Sequence, residues 1–312
     1  MKRLLKWLFL ILLLPPLALF AILWVLIEVT PQAKLRALAA QELGRKMNRE
    51  VGIGPIHLGL RGLAIDEIRL SEIPNFHAGT FMTAKGIRLG WDLRSIWEGL
   101  NIRKKFVTRS DGRFHIDEFL NPHYSAKDFS LTWSLSDMDP SWSHVTGGAK
   151  LEQGAGFLQN IDRLMATSPS AKIALTPILA LMNLERMGVL KLGLPDLRRW
   201  PIQGIHGVYT FHNGCMTIKR FRIESPQLEM GATGTVELGS GALLLDVQLH
   251  VPPTPGMGAM DATLRVSGTT SNPKVDVSSL KKKAFQAALG RLLQNPQGVK
   301  KNIDQTLKNL FR

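Results

Sequence analysis

From Val51 onward the chain is written in short segments that alternate apolar and polar residues, each stopped by glycine, proline or asparagine. The clearest is ALLLDVQLHV (242–251), in which Leu243, Leu245, Val247, Leu249 and Val251 share one parity and Asp246, Gln248 and His250 the other. Successive side chains of a strand point to opposite faces, so a period of two means a strand with one apolar and one polar side. VGIGPIHLGL, LAIDEIRL, AKGIRLGW, IRKKFVTR and GRFHIDEF carry this alternation through the first part of the chain. FSLTWSL (129–135) and AKLEQGAGFL (149–158) continue it, and TLRVSG and KVDV close it. In VYTFHNGCMTIKRFRI the pair Asn213-Gly214 separates two apolar runs, which is the strongest short hairpin signal a sequence offers. The pattern predicts a meandering antiparallel sheet with one polar face.

Helical signals interrupt this texture. Thr30-Pro31 supplies an N-cap and a first helical residue for 32–48, where Leu35, Leu38, Leu43 and Met47 form an apolar stripe expected to pack on the following sheet. A short helix is expected from Asp92 to Glu98, and residues 160–188, with Thr176-Pro177 repeating the cap signal, form a helical insertion. PPTPGMG (252–258) reads as a loop. The tail from 280 to 312 is helical, with one stripe of Phe285, Leu289 and Leu292 and a second of Val299, Ile303, Leu307 and Leu310.

The N-terminus constrains location. Lys2, Arg3 and Lys6 precede an uncharged apolar run from Trp7 to Ile27, interrupted by Pro15 and Pro16. About 20 residues at ~1.5 Å per residue span a hydrocarbon core of ~30 Å. A cleaved signal peptide would be shorter and would end in small residues, whereas this run ends Ile22-Leu23-Trp24-Val25-Leu26-Ile27. Residues 1–30 are therefore expected to be an uncleaved single-pass anchor, with the basic residues inside and the bulk of the chain outside.

The chain carries 39 basic and 25 acidic residues, for a net charge of +14. Such a balance suits nucleic acid or an anionic membrane surface. No aromatic platform on a basic sheet accompanies it, and the anchor argues against nucleic acid. Residues 281–312 hold eight Lys/Arg against one Asp, half of the whole charge, and Lys281, Lys282, Lys283, Lys300 and Lys301 are the candidate contacts to anionic headgroups. Cys215 is the only cysteine, which excludes an intramolecular disulfide and a cysteine metal site.

RSDGRFHIDEF (109–119) gathers Asp111, His115, Asp117 and Glu118, side chains that hydrolases and metal sites use. Ser110-Asp111-Gly112 reads as a turn, with Gly112 expected at positive φ, between the strands IRKKFVTR and RFHIDEF. Arg113, His115 and Asp117 then face one way and Phe114, Ile116 and Glu118 the other, with His115 and Asp117 roughly 7 Å apart at Cα. A third converging ligand is missing. The eight histidines are scattered, no H-E-x-x-H pair, nucleophile elbow, Walker loop or dinucleotide fingerprint occurs, and Ser278-Ser279-Leu280-Lys281 lacks the partner motifs of serine acylases. The expectation is a protein that is not an enzyme, with no catalytic residues, no metal and no cofactor.

Several stretches resemble the AsmA family. They are the basic start and single anchor, LRALAAQELGRKMNREVGIGPIHLGLRGLAIDEIRLSEIPNF, AKGIRLGWDLRSIWEGLNI and FVTRSDGRFHIDEF. Asp111-Gly112 and Phe114-His115-Ile116 occupy the positions where that family closes its N-terminal module with a turn and short strand. AKLEQGAGFLQNIDRL, GVYTFHNGCMTIKRFRIESPQLEMGATGTVELGSGALLLDVQLHV, LRVSGTTSNPKVDV and the basic tail resemble its C-terminal module. The resemblance implies a mostly β fold with helices: an N-terminal transmembrane helix, then a curved antiparallel sheet forming a β-groove, with amphipathic helices including the C-terminal tail. The modules would be 1–30 (anchor), 31–125, 126–279 and 280–312. It implies a bacterial inner-membrane protein with its bulk in the periplasm, handling phospholipid or another acyl-chain lipid, or serving envelope assembly with envelope proteins as partners. Leu243, Leu245, Val247, Leu249, Val251, Leu264 and Val266 are the candidate lipid-groove residues. The long central array of bridging members is missing; a dozen strands at ~4.8 Å make a groove of roughly 60 Å. The apolar face is either covered by the helices, as an ordinary core, or left partly open to acyl chains.

Overall fold

The computed structural model describes residues 32–59, 61–73, 75–101, 106–139, 141–159, 175–180, 182–183, 199–253 and 259–278. Helix α1 (Gln32–Met47) leads into β1 (Val51–Ile53), β2 (Ile56–Gly59), β3 (Gly62–Ser71) and β4 (Thr80–Trp91). Helix α2 (Leu93–Gly99) and the short pair β5 (Leu100–Asn101) and β6 (Phe106–Val107) follow, then β7 (Ser110–Leu120), β8 (Tyr124–Ser136), β9 (Thr146–Gln153) and β10 (Gly156–Gln159). The remaining strands are β11 (Arg199–Ile202), β12 (Gly204–His212), β13 (Cys215–Glu224), β14 (Glu229–Glu237), β15 (Ala242–Val251), β16 (Met260–Thr269) and β17 (Pro273–Asp276).

One open antiparallel sheet contains nearly all of them, in the order β1-β3-β4-β7-β8-β9-β12-β13-β14-β15-β16-β17. Spatial order follows chain order because most connections are short, and short connections join antiparallel neighbours. β10 continues the line of β9 along β8, and β11 pairs with β10 on its other side. β8 runs through residues 125 and 126, so the sheet is continuous where the two modules were expected to meet. The Asn213-Gly214 hairpin forms as expected, with φ of 47° and 71°, the positive values a two-residue turn of this kind requires.

The expected anchor (1–30), the basic tail (280–312) with Lys281, Lys282, Lys283, Lys300 and Lys301, and most of the 160–188 insertion lie outside the described residues. Within that insertion, 175–180 and 182–183 are helical. Among the described residues no helix is long and apolar enough to cross a membrane.

Three local expectations are corrected. Among the described side chains of the α1 stripe, Leu38 and Met47 are at least half exposed and do not pack on the sheet. The helix meets the sheet only at its end, where the Arg49 amide donates to the Gly44 carbonyl at 3.2 Å and turns the chain into β1. Ser110-Asp111-Gly112 is not a turn but the start of β7, and Gly112 has no positive φ. Its need for glycine is steric, since it faces Trp133 across the ladder and an added Cβ would lie 2.3 Å from the indole. Glu118 does not face with Phe114 and Ile116: it pairs with Lys85 at 3.0 Å on the polar side, like His115 and Asp117. Opposite this switch of side, Gly86 sits at φ 63°, breaking the simple alternation.

Gly112→Val is therefore expected to destabilise the fold by about 1–3 kcal/mol, the range for overpacking. Trp133→Leu in the same chain should restore part of that loss. Urea unfolding of the single and double variants measures the coupling; strict additivity would rule out the Trp133 contact as the cause.

Candidate functional site

Residues directly opposite on neighbouring strands share a face of the sheet. One cross-strand row runs Leu58, Leu63, Leu89, Phe114, Leu131, Leu151, Gly207, Phe221, Ala232, Val247, Leu264, each paired with the next. A second row runs Trp91, Gly112, Trp133, Ala149, Tyr209, Ile218, Gly234, Leu245, Val266, Val275. Neither row contains a charged residue. The ten steps of the first, at ~4.8 Å each, make a continuous apolar band of roughly 48 Å.

Exposure changes along this band. Towards its C-terminal end the seven groove candidates Leu243, Leu245, Val247, Leu249, Val251, Leu264 and Val266 are all at most 5% exposed and belong to one cluster. Leu175 and Ile178 of the helical stretch 175–180 lie in that cluster, with Leu179 and Met182 packed against it, so chain outside the sheet covers this part of the face. Trp200 is fully buried there and donates its indole N–H to the Ser225 hydroxyl at 2.8 Å, which satisfies its one polar atom. The structure brings the seven candidates together and closes them into a core.

Across β3, β4, β7, β8 and β9 the same face is only half covered. Leu63, Leu89, Phe114, Leu131, Leu151 and Trp133 are all half-buried, and Leu58 at the edge is 42% exposed. The rings of Phe114 and Phe129 meet edge to face with centroids 6.1 Å apart. These residues are not among the seven groove candidates, because the alternation of their segments is less clean than that of ALLLDVQLHV. LAIDEIRL and GRFHIDEF carried the signal, with a lower contrast between their two faces.

A polar pair sits within the face at the strand corner where β8, β9 and β10 meet. The Tyr124 hydroxyl donates to the Gln153 side-chain carbonyl, and burial pushes the Tyr124 phenol up to about 12. Gln153 is buried, and its Nε2 has no hydrogen-bond partner among the described residues. An unpaired buried donor in an apolar surrounding costs on the order of 1–3 kcal/mol.

The polar face holds the cluster of residues 109–119. His115 Nε2 lies 2.8 Å from Asp117, and Arg88 holds both Asp117 oxygens at 2.8 and 2.7 Å. Lys85, through its hydrogen bond and charge, lowers the Glu118 carboxyl below its ordinary range. The Arg88–Asp117 and Lys85–Glu118 contacts are cross-strand ion pairs between partly exposed side chains, His115 meets Asp117 within β7, and Ser130 stands opposite His115 on the next strand. Among the described residues no group of three His, Cys, Asp or Glu side chains could hold a metal ion. Replacing His115 and Asp117 together with Ala is expected to cost at most about 1 kcal/mol, as for exposed pairs, and to leave any bound lipid unchanged. Thermal unfolding and lipid analysis of the folded variant check this; loss of function with the fold intact would assign the cluster a chemical role.

Compared with protein-family models, curated proteins and solved structures, the chain matches none.

Proposed function

We propose that the half-open apolar face of β3–β9 holds the acyl chains of a lipid, and that the protein is a short AsmA-like, inner-membrane-anchored factor acting in the periplasm without catalysis. The observation that carries this reading is the first cross-strand row, an uninterrupted apolar band whose exposure rises from the closed core at Leu264 to the open edge at Leu58. An acyl chain reaches about half of a ~30 Å hydrocarbon core, which fits within the open part of the band. Water against so much apolar surface is unfavourable by about 25 cal/mol for each Å², so an apolar occupant is favoured there. The basic tail, Lys281 to Lys283 with Lys300 and Lys301, would meet anionic headgroups.

The second reading is an envelope scaffold that docks a membrane protein and carries no lipid. It is favoured by the short strand β17 at the end of the sheet order, which pairs with 265–268 of β16 and with no other strand among the described residues. Such an edge can accept an added strand. Mass spectrometry of the full chain, purified without added lipid, separates the two. Stoichiometric phospholipid supports carriage; lipid-free protein supports the scaffold.

A further inference from the structure

Among the described residues four side chains carry a buried polar atom without a hydrogen-bond partner: Asp111 Oδ1, Asp139 Oδ1, Gln227 Oε1 and Gln153 Nε2. The first three are acceptors on half-buried residues. Gln153 is the one donor of the set and, at 3% exposure, the one on a buried residue. The other buried polar residues, Ser71, Ser95 and Ser225, all have partners. An amide N–H left unpaired away from water loses its hydration and gains nothing in return, so it marks a place where an acceptor belongs.

The place of Gln153 on the sheet decides which kind of acceptor. It has the same parity as Leu151 on β9 and so faces the apolar side. Across the ladder it opens a row that continues Ile205, Ile223, Met230, Leu249, Ala262, in which Gln153 is the only polar residue. Ile223, Met230, Leu249 and Ala262 belong to the closed core, and Ile205 packs against it. Leu151, roughly 7 Å away at Cα, belongs to the half-open band. Gln153 therefore stands where the open band meets the core. Its Oε1 accepts from the Tyr124 hydroxyl, and the Tyr124 ring packs beside Phe119 with centroids 5.7 Å apart, so the amide is held by one atom and offers the other. No cation shares the row, so a phosphate or carboxylate there would be an uncompensated buried charge. A neutral carbonyl oxygen meets the same donor without that cost.

We infer that Gln153 Nε2 donates to the carbonyl at the head of an acyl chain, which makes Gln153 a specificity-determining residue for acyl lipids over their alkyl ether counterparts. This role rests on the reading of the half-open face as a lipid site and fixes the direction of the lipid on it. The carbonyl lies at Gln153 and the chain runs away from the core over Leu151, Leu131 and Phe114. An ether lipid of the same length fills the band equally well but leaves the Gln153 donor without a carbonyl.

The test uses the full chain in detergent, incubated with equal amounts of diester and diether phosphatidylethanolamine that carry the same chains. Bound lipid is quantified by mass spectrometry after the excess is removed. The unmodified protein should retain the diester in about tenfold excess, as expected for one buried hydrogen bond. Gln153→Leu with Tyr124→Phe removes the amide and the hydroxyl together and leaves no group unpaired, so this variant should unfold at no lower urea concentration. It should bind as much lipid in total, with the diester preference gone. Equal retention of the two lipids by the unmodified protein, a comparison that stands whether or not the double variant folds, would overturn the inference. So would a preference that survives in the double variant. Either result leaves the lipid site standing, with a buried water as the partner of Gln153. Retention of neither lipid would overturn the lipid site and this role together.

Discussion

Val247→Glu is expected to abolish stable folding. Val247 is 2% exposed at the centre of the closed core, between Ala232 and Leu264 on the neighbouring strands. A carboxylate there has no cation on its own face in either cross-strand row, and an uncompensated buried charge costs about 3–5 kcal/mol. The lost packing adds to this, against a total stability of about 5–15 kcal/mol for a domain. Loss of a cooperative unfolding transition is the expected result. Normal urea unfolding would mean that the face at Val247 is wet or filled by something removable.

Leu131→Glu should behave differently although it lies on the same row. Leu131 is half-buried between Phe114 and Leu151, so the glutamate can turn its carboxylate toward solvent, and a folding cost of about 1 kcal/mol is expected. The predicted effect is on cargo: co-purified lipid should fall to a small fraction of the unmodified protein's, because a charge now sits where acyl chains would lie. A folded Leu131→Glu protein that keeps its full lipid would place the cargo elsewhere.

The contrast between these two positions also shows what a sequence can tell. The faces of β15 and β16 were legible, because ALLLDVQLHV and TLRVSG alternate without interruption and a period of two has only one interpretation. The short helix after Trp91 and the Asn213-Gly214 hairpin were legible for the same reason, since local residues decide them. The apolar face of β7 and β8 was harder to follow, because the alternation shifts by one residue within each strand. In β8 Leu131, Trp133 and Leu135 face inward at odd positions while Tyr124 and Ala126 do so at even ones. Between them Asp128 takes φ 51°, and the Lys127 amide donates to the Ala155 carbonyl at 3.0 Å. A shift of one residue reverses every later side chain, and nothing in KDFSL announces it.

Gly112 taught a related lesson. Asp-Gly is a strong turn signal in isolation. Here its glycine makes room for the Trp133 ring across the ladder, a partner that lies on the next strand and is invisible to local reasoning. Which part of the apolar face is closed was equally beyond the sequence. Coverage is decided by where Leu175 and Ile178 settle, and 175–180 could have packed at any point along a uniform apolar band.

The central claim is that one continuous apolar face is a packed core at one end and an acyl-chain site at the other. Photo-crosslinking of the full chain in native membranes, from single positions 131, 132 and 247, tests it most directly. Lipid adducts are expected from 131, which faces the open band, and none from Thr132, which faces the polar side. From 247 the expected adducts are only to peptides of the same chain. Lipid adducts of equal yield at 131 and 132, or at 247 and not at 131, would contradict it.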